Sequence, residues 1–309
     1  MRHQLSCVTR VLICLSGLSL WSAAVQAAPA ELLREHPLAG TLWHVGESRQ
    51  VTTSELFDAV AKARWVLLGE KHDNAAHHLI QSGIVAAMGQ QGRRPAVVWE
   101  MAEPEHDPAL KAARLETLAD LGPAIAWEKR GWPSWLEYQP IAVQALTYGM
   151  TMAAGDAPPQ IRRKIGKGGE LDSDTAGRIG WARAYAEDQR RDLTELLVQS
   201  HCGMLPEAAL PGMANVQRLR DAWIAGVMKD EGGRDGAILI AGAQHIRKDR
   251  GVPWHLGEAV VTVSAVEVAR GAEDPADYPS FDPALFDFIW FTARVDEKDP
   301  CEGFRRKKE

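Results

Sequence analysis

The sequence lacks a Gly-x-Ser-x-Gly motif and offers no other serine or cysteine nucleophile pattern, which excludes the strand-to-helix elbow of the serine hydrolases. It has no internal repeat and no low-complexity tract, so solenoids and propellers drop out. It has no excess of positive charge. Thirty-five lysines and arginines stand against forty-one acids, a formal net charge of -6, which excludes nucleic acid as a general partner. Cysteine is scarce, at four residues, and two of these (Cys7 and Cys14) lie near the start. Long apolar runs are scarce too. The longest, Val11 to Val25, is interrupted by Ser16, Gly17, Ser19 and Ser22, and falls short of the ~20 residues that span a bilayer.

What is there begins with that run. Arg2 and Arg10 precede it and Val25-Gln26-Ala27-Ala28 closes it with small residues, the layout of a secretory signal cleaved after Ala27. Loss of residues 1–27 removes two positive charges and no acid, moving the net charge from -6 to -8. Only Cys202 and Cys301 then remain, and the sequence leaves open whether they pair in an oxidising compartment. The expected organisation is a signal peptide over 1–27, one α/β domain over 28–300 and a solvated basic tail over 301–309, with Arg305-Arg306-Lys307-Lys308. The expected location is the periplasm or the outer membrane.

Four short apolar runs organise the domain: Trp65–Leu68 ending at Gly69, Ala96–Trp99 ending at Glu100, Met150–Ala154 ending at Gly155-Asp156, and Ala237–Ala241 ending at Gly242. None alternates polar with apolar, so each reads as a strand buried on both faces of a parallel sheet. Val260–Val268 and Phe286–Val295 read as two further strands. Residues 54–64 and 75–90 read as helices, the second with Ile80, Ile84, Ala87 and Met88 on one stripe and Asp73 or Asn74 as its cap. Helical sections are expected over about 104–146, with Trp127, Trp132 and Trp135 clustered, and over 173–229, broken near Pro206 and Pro211. The fold class is therefore α/β: a mostly parallel sheet flanked by helices, with a helical insertion or lid.

Such sheets bind ligands in the crevice at the carboxyl ends of their strands. Glu70 and His72 follow the first run, Glu100 the second, Asp156 the third and His245 the fourth; both histidines stand in Gly-x-x-His turns, Gly69-Glu70-Lys71-His72 and Gly242-Ala243-Gln244-His245. Two imidazoles and up to three carboxylates at one rim could bind a divalent metal, with His72, His245 and Glu100 as ligands, or act as general acids and bases. His77 and His78 lie near the same rim, one of them expected to face water, and His77 shares a helix face with Gln81. Asp156 reads more readily as a turn or capping residue, and Glu70 alone would serve as helix-dipole complement. The tryptophans read most economically as packing.

The stretch Leu67-Leu68-Gly69-Glu70-Lys71-His72-Asp73-Asn74, with His77-His78 and Gln81, resembles the opening motif of the ChaN-like haem-binding uptake proteins of the Tiki superfamily, which also holds TraB-type proteins and erythromycin esterase. The resemblance continues through Glu100-Met101, Gly131-Trp132, Tyr138-Gln139-Pro140-Ile141, Gln217-Arg218-Leu219-Arg220-Asp221 and Ala241-Gly242-Ala243-Gln244-His245 with Arg247, and covers roughly residues 40–295. It implies an exported protein of haem or iron uptake, with haem as cofactor and outer-membrane uptake machinery and a second copy of the chain as partners. Members of the family are often lipid-anchored, and this sequence departs from that pattern in lacking a convincing lipobox, since Cys14 sits inside the apolar run, which leaves anchoring open. Haem needs an axial ligand and an apolar slot; a family tyrosine would correspond to Tyr138 or Tyr185. The superfamily also implies an alternative, a metal-dependent hydrolase in which His72, Glu100 and His245 form the centre, with Glu70 and Arg247 in support and a cation activating water.

Overall fold

Along each apolar run, successive side chains point to opposite sides of one sheet, and each side has its own core. This computed structural model describes residues 31–299 and 301–302. Among them the strands are β1 (Leu42–His44), β2 (Arg49–Gln50), β3 (Trp65–Glu70), β4 (Ala96–Trp99), β5 (Met152–Ala154), β6 (Ala237–Gly242), β7 (Val261–Glu267) and β8 (Phe288–Thr292). They form one sheet in the order β2-β1-β8-β7-β3-β6-β4-β5. β3 to β8 run parallel, and the β1–β2 hairpin adds an antiparallel edge. Val66, Leu68, Val97, Trp99, Ile238 and Ile240 enter one core, while Trp65, Leu67, Val98 and Leu239 enter the other. Burial on both faces is why these strands read as unbroken apolar runs.

The helices are α1 (Thr53–Lys62), α2 (Ala75–Gln90), α3 (Asp107–Ala112), α4 (Leu121–Ala124), α5 (Trp135–Thr147), α6 (Pro159–Gly166), α7 (Ser173–Arg178), α8 (Glu187–Ser200), α9 (Leu210–Glu231) and α10 (Val252–Leu256). Thr52 caps α1 in a reciprocal pair with Glu55. Asn74, not Asp73, caps α2 by accepting from the Ala76 amide at 3.0 Å.

The expected helical section over 104–146 is not continuous. Pro104, Pro108, Pro123 and Pro133 cut it into two short helices, three 3-10 turns and then α5. It joins α1 and α2 in covering one face of the sheet, with Trp127, Trp135 and Tyr138 in the core. The section over 173–229 is likewise divided into α7, α8 and most of α9. Pro211 starts α9 instead of breaking it, since a first-turn residue needs no intrahelical N–H donor. The C-terminal half of α9 packs on the sheet with α10, its middle meets α6 and the end of α7, and its N-terminal end meets α8, the last two through small apolar clusters. Cys202, just after α8, is disulfide-bonded to Cys301. The expected leader over 1–27 and the arginines and lysines of the tail lie outside the described residues.

Candidate functional site at the carboxyl ends of three central strands

Register decides what meets. In β3 and β6, Glu70 pairs with Gly242; in β4 and β6, Trp99 pairs with Ile240, and the Glu100 amide donates to the Ile240 carbonyl at 3.1 Å. β3 and β6 thus end level and the adjacent β4 stops two residues earlier, and the residues that follow all three share one rim. A Cβ on Gly242 would stand 2.9 Å from His72 Nε2, so the absence of a side chain there is what lets the imidazole close over the end of β6.

Two linked groups result. In the first, Glu70 Oε1 accepts from His72 Nδ1–H and from the Tyr138 hydroxyl, both at 2.8 Å, while Glu70 Oε2 stands 3.3 Å from His78 Nε2. In the second, His245 Nε2 stands 3.0 Å from Glu100 Oε1 as an ion pair, and Nδ1–H donates to Asp221 Oδ1 at 2.5 Å. Arg220 joins this group to Asp156, donating to Glu100 Oε1 at 2.8 Å and to Asp156 Oδ1 at 2.9 Å. The Gly242 amide donates to Glu100 Oε2 at 2.7 Å. His72 Nε2 stands 3.8 Å from that same oxygen, and the His72 side chain is 33% exposed against 6% for His245 and 2% for Glu100. The chemistry faces solvent through His72.

Burial disfavours charge on His72, His78, Glu100 and His245, so their states follow from which partners outweigh it. Burial pushes His245 down, but Glu100 and Asp221 overcome it and hold the imidazolium with a pKa raised to about 9. Burial pushes Glu100 up, yet His245 and Arg220 hold its carboxyl well below the usual range. For His72, burial is outweighed by the bond to Glu70 and the charge of Glu100, giving a raised value. His78 is pushed down by burial and stays neutral.

The strand-end residues Glu70, His72, Glu100, Asp156 and His245 are brought together, with His78 behind them. Others part from expectation. Neither His77 nor His78 faces water. His77 lies away from the centre, accepting from the Lys71 amide and pairing with Thr292, both at 2.9 Å; burial lowers its pKa to about 3. Arg247 turns to Asp249 and Asp192. Tyr138 is fully buried, and its hydroxyl is spent on Glu70 instead of being open to an iron. Trp127 and Trp135 are core, whereas Trp132 sets its ring 5.0 Å from that of His72.

Gln217, Arg220 and Asp221 of α9 carry no mark in the strand-end pattern, though Gln217 contacts His245 at 3.2 Å. The available signal was spacing: three polar residues at i, i+3 and i+4 on one face of a long helix. Arg220 also bears on metal binding. Glu100 accepts at both oxygens and lies 3.0 Å from His245, so the guanidinium and imidazolium already supply the positive charge. Among the described residues, no group of three or more His, Cys, Asp or Glu side chains is disposed to hold a metal ion. The expected ligand set His72, His245 and Glu100 does not fit a divalent cation as arranged.

A separate cavity of about 540 Å³ opens between α8 and α9. Leu193, Leu210, Pro211 and Ala214 give it apolar walls, and Arg190 and Arg218 also line it. Tyr185 contributes one side, its hydroxyl donating to the Arg250 carbonyl.

ChaN of Campylobacter jejuni, from a structure of cofacial haem binding, is similar to this chain at 18% identity and a TM-score of 0.62, covering 81% of this chain and 95% of its own. Weaker likenesses are to a mutant of the erythromycin esterase EreC in its open conformation (11% identity, TM-score 0.45, 84% and 98% covered), and to the type III effector HopBA1 (12%, 0.41, 77% and 92%). No curated protein sequence matches. The sequence pattern of the family described as haem-binding uptake, Tiki superfamily, ChaN, matches residues 56–256, about two thirds of the sequence and all three strand ends that build the centre, and the chain belongs to that family.

Proposed function

We propose that this protein binds haem in the cavity between α8 and α9 and serves haem uptake outside the cytoplasm. The observation that carries the reading is an apolar cavity of about 540 Å³ lying wholly within the stretch matched by a haem-binding uptake family. Its volume falls among those of small-molecule pockets, about 300–1,000 Å³. Haem would supply an iron with an open axial position, which His, Tyr, Met or Cys can fill. Among the described lining residues, Tyr185 alone is of such a type. Its phenol would have to leave the Arg250 carbonyl to serve. The Cys202–Cys301 disulfide supports export, since such bonds persist in oxidising compartments.

Titration of the mature protein with haemin tests this. A saturable Soret band is expected, altered in Tyr185→Phe and retained in Tyr138→Phe, whose oxygen belongs to the polar centre. Absence of any saturable band would overturn the reading.

One observation favours a second activity, hydrolysis at the polar centre: His72 is oriented at Nδ1 by Glu70, sets Nε2 3.8 Å from Glu100 Oε2, and keeps a third of its side chain exposed. A buried carboxylate holding a part-exposed imidazole is the arrangement of a general acid or base. Cationic Arg220 and His245 lie behind it to stabilise developing negative charge. The test is turnover of simple aryl esters, expected to fall in His72→Ala and to persist in chelator; rates equal to buffer alone would remove this reading.

A further inference from the structure

Arg218 of α9 lines the cavity just described and a second one of about 490 Å³ beside it. Its guanidinium lies 3.8 Å over the Trp181 ring and 5.7 Å from that of Tyr185. Nη2 donates to the carbonyls of Trp181 and Arg183. Nε is buried with no hydrogen-bond partner, and no carboxylate among the described residues pairs with the group. A neighbouring arginine of the same helix, Arg220, shows the contrast, with two carboxylates bonded to it. Arg218 is partly buried, and a cation withdrawn from water without a counter-charge, with a buried donor left unpaired, needs a reason. Burial also pushes the Arg218 pKa below its ordinary value. The charges around the cavity leave room for an anion: the lining acid Glu207 is exposed on the 3-10 turn before α9, and Arg190 across the cavity offsets it.

We propose that Arg218 receives a carboxylate of the cavity's ligand, so that this cavity selects flat apolar acids over their neutral esters. For haem, on which the proposed function rests, the group is a propionate. Trp181 holds the guanidinium plane, and no carboxylate of the described residues takes up its charge beside the apolar walls. A planar fork of this kind favours a carboxylate over a point anion.

The test compares haemin with its dimethyl ester on the full mature protein. Haemin should bind about 10- to 100-fold more tightly, the worth of a charge-assisted hydrogen bond. Arg218→Gln should bring haemin down to the ester's affinity while leaving the ester unchanged, and Arg218→Lys should restore part of the difference. Equal binding of acid and ester by the unaltered protein overturns the proposal without any variant having to fold. Equal weakening of both by Arg218→Gln overturns it as well, because the arginine would then be structural. Should haemin fail to bind at all, the haem reading falls and the anion site is judged separately. The probes are anilinonaphthalene sulfonate and its uncharged relative N-phenyl-1-naphthylamine. An Arg218-dependent preference for the sulfonate supports the site; no preference overturns it.

Discussion

Arg220→Met should be among the most destabilising single changes that leave the apolar core intact. The methionine keeps much of the side-chain volume and removes the charge. It deletes the bond to Glu100 at 2.8 Å and the bond to Asp156 at 2.9 Å, leaving two carboxylates that are 2% and 5% exposed. Removing one partner of a buried ion pair costs about 3–5 kcal/mol. Neither acid is stranded completely, since Glu100 keeps His245 and the Gly242 amide while Asp156 keeps Arg162 and the Ala157 amide. The low end, about 3 kcal/mol, is therefore expected. At about 2 °C per kcal/mol for a domain of this size, calorimetry at pH 7 should show Tm lowered by about 6 °C. The double variant with Glu100→Gln should lose less than the two single losses added together, because the orphaned charge is then gone. A loss below about 1 kcal/mol, or strict additivity, would mean that water already screens this network, and the electrostatic account of the centre would fail.

Three further outcomes follow from the same geometry. His245 has its pKa raised to about 9 from an ordinary value near 6.5, so its contribution is full below about pH 6.5 and disappears as pH rises through about 9. Urea titrations across that window should show up to about 3 kcal/mol lost, a slope absent from His245→Gln. Gly242→Ala should displace the His72 ring, which a new Cβ would meet at 2.9 Å, and NMR titration should find its raised pKa moved down. Reduction, or Cys202→Ser, opens a bridge between residues 99 apart and should cost about 2–5 kcal/mol by urea unfolding; no change would mean the tail stays docked without it.

The parallel core strands could be read in advance because burial on both faces leaves no polar alternation to confuse the pattern. The β1–β2 hairpin could not, since Arg49 and Gln50 are exposed and offer no apolar run. At the site, Glu70, His72, Glu100 and His245 were visible because strand ends of a parallel sheet share a rim, whatever the chain order. Arg220 and Asp221 stood only in a stretch that resembles the family, and the strand-end pattern missed them for the converse reason. They reach the centre from the side of a helix, and an i, i+3 spacing of polar residues also describes an ordinary solvated face. Tyr138 and Tyr185 were marked by residue type, Tyr138 also by the resemblance, and only coordinates show that both hydroxyls already have acceptors.

α9 carries both candidate activities on different sides. Gln217, Arg220 and Asp221 face His245, whereas Leu210, Ala214 and Arg218 line the cavity. At about 100° of rotation per residue, Arg218 and Arg220 point roughly 200° apart, nearly opposite ways from one helix. The backbone between them is covered by Leu219, which is fully buried with Ala222 against α6 and α7. A substitution at Arg218 therefore changes the cavity's charge without touching a bond of the polar centre. One at Arg220 does the reverse. The haem and hydrolase readings concern separate surfaces of one helix, and neither excludes the other. Loss of haem binding with intact ester turnover, or the opposite, separates them, while loss of both from either single change would mean that α9 moves as one body and that the two sites are linked through it.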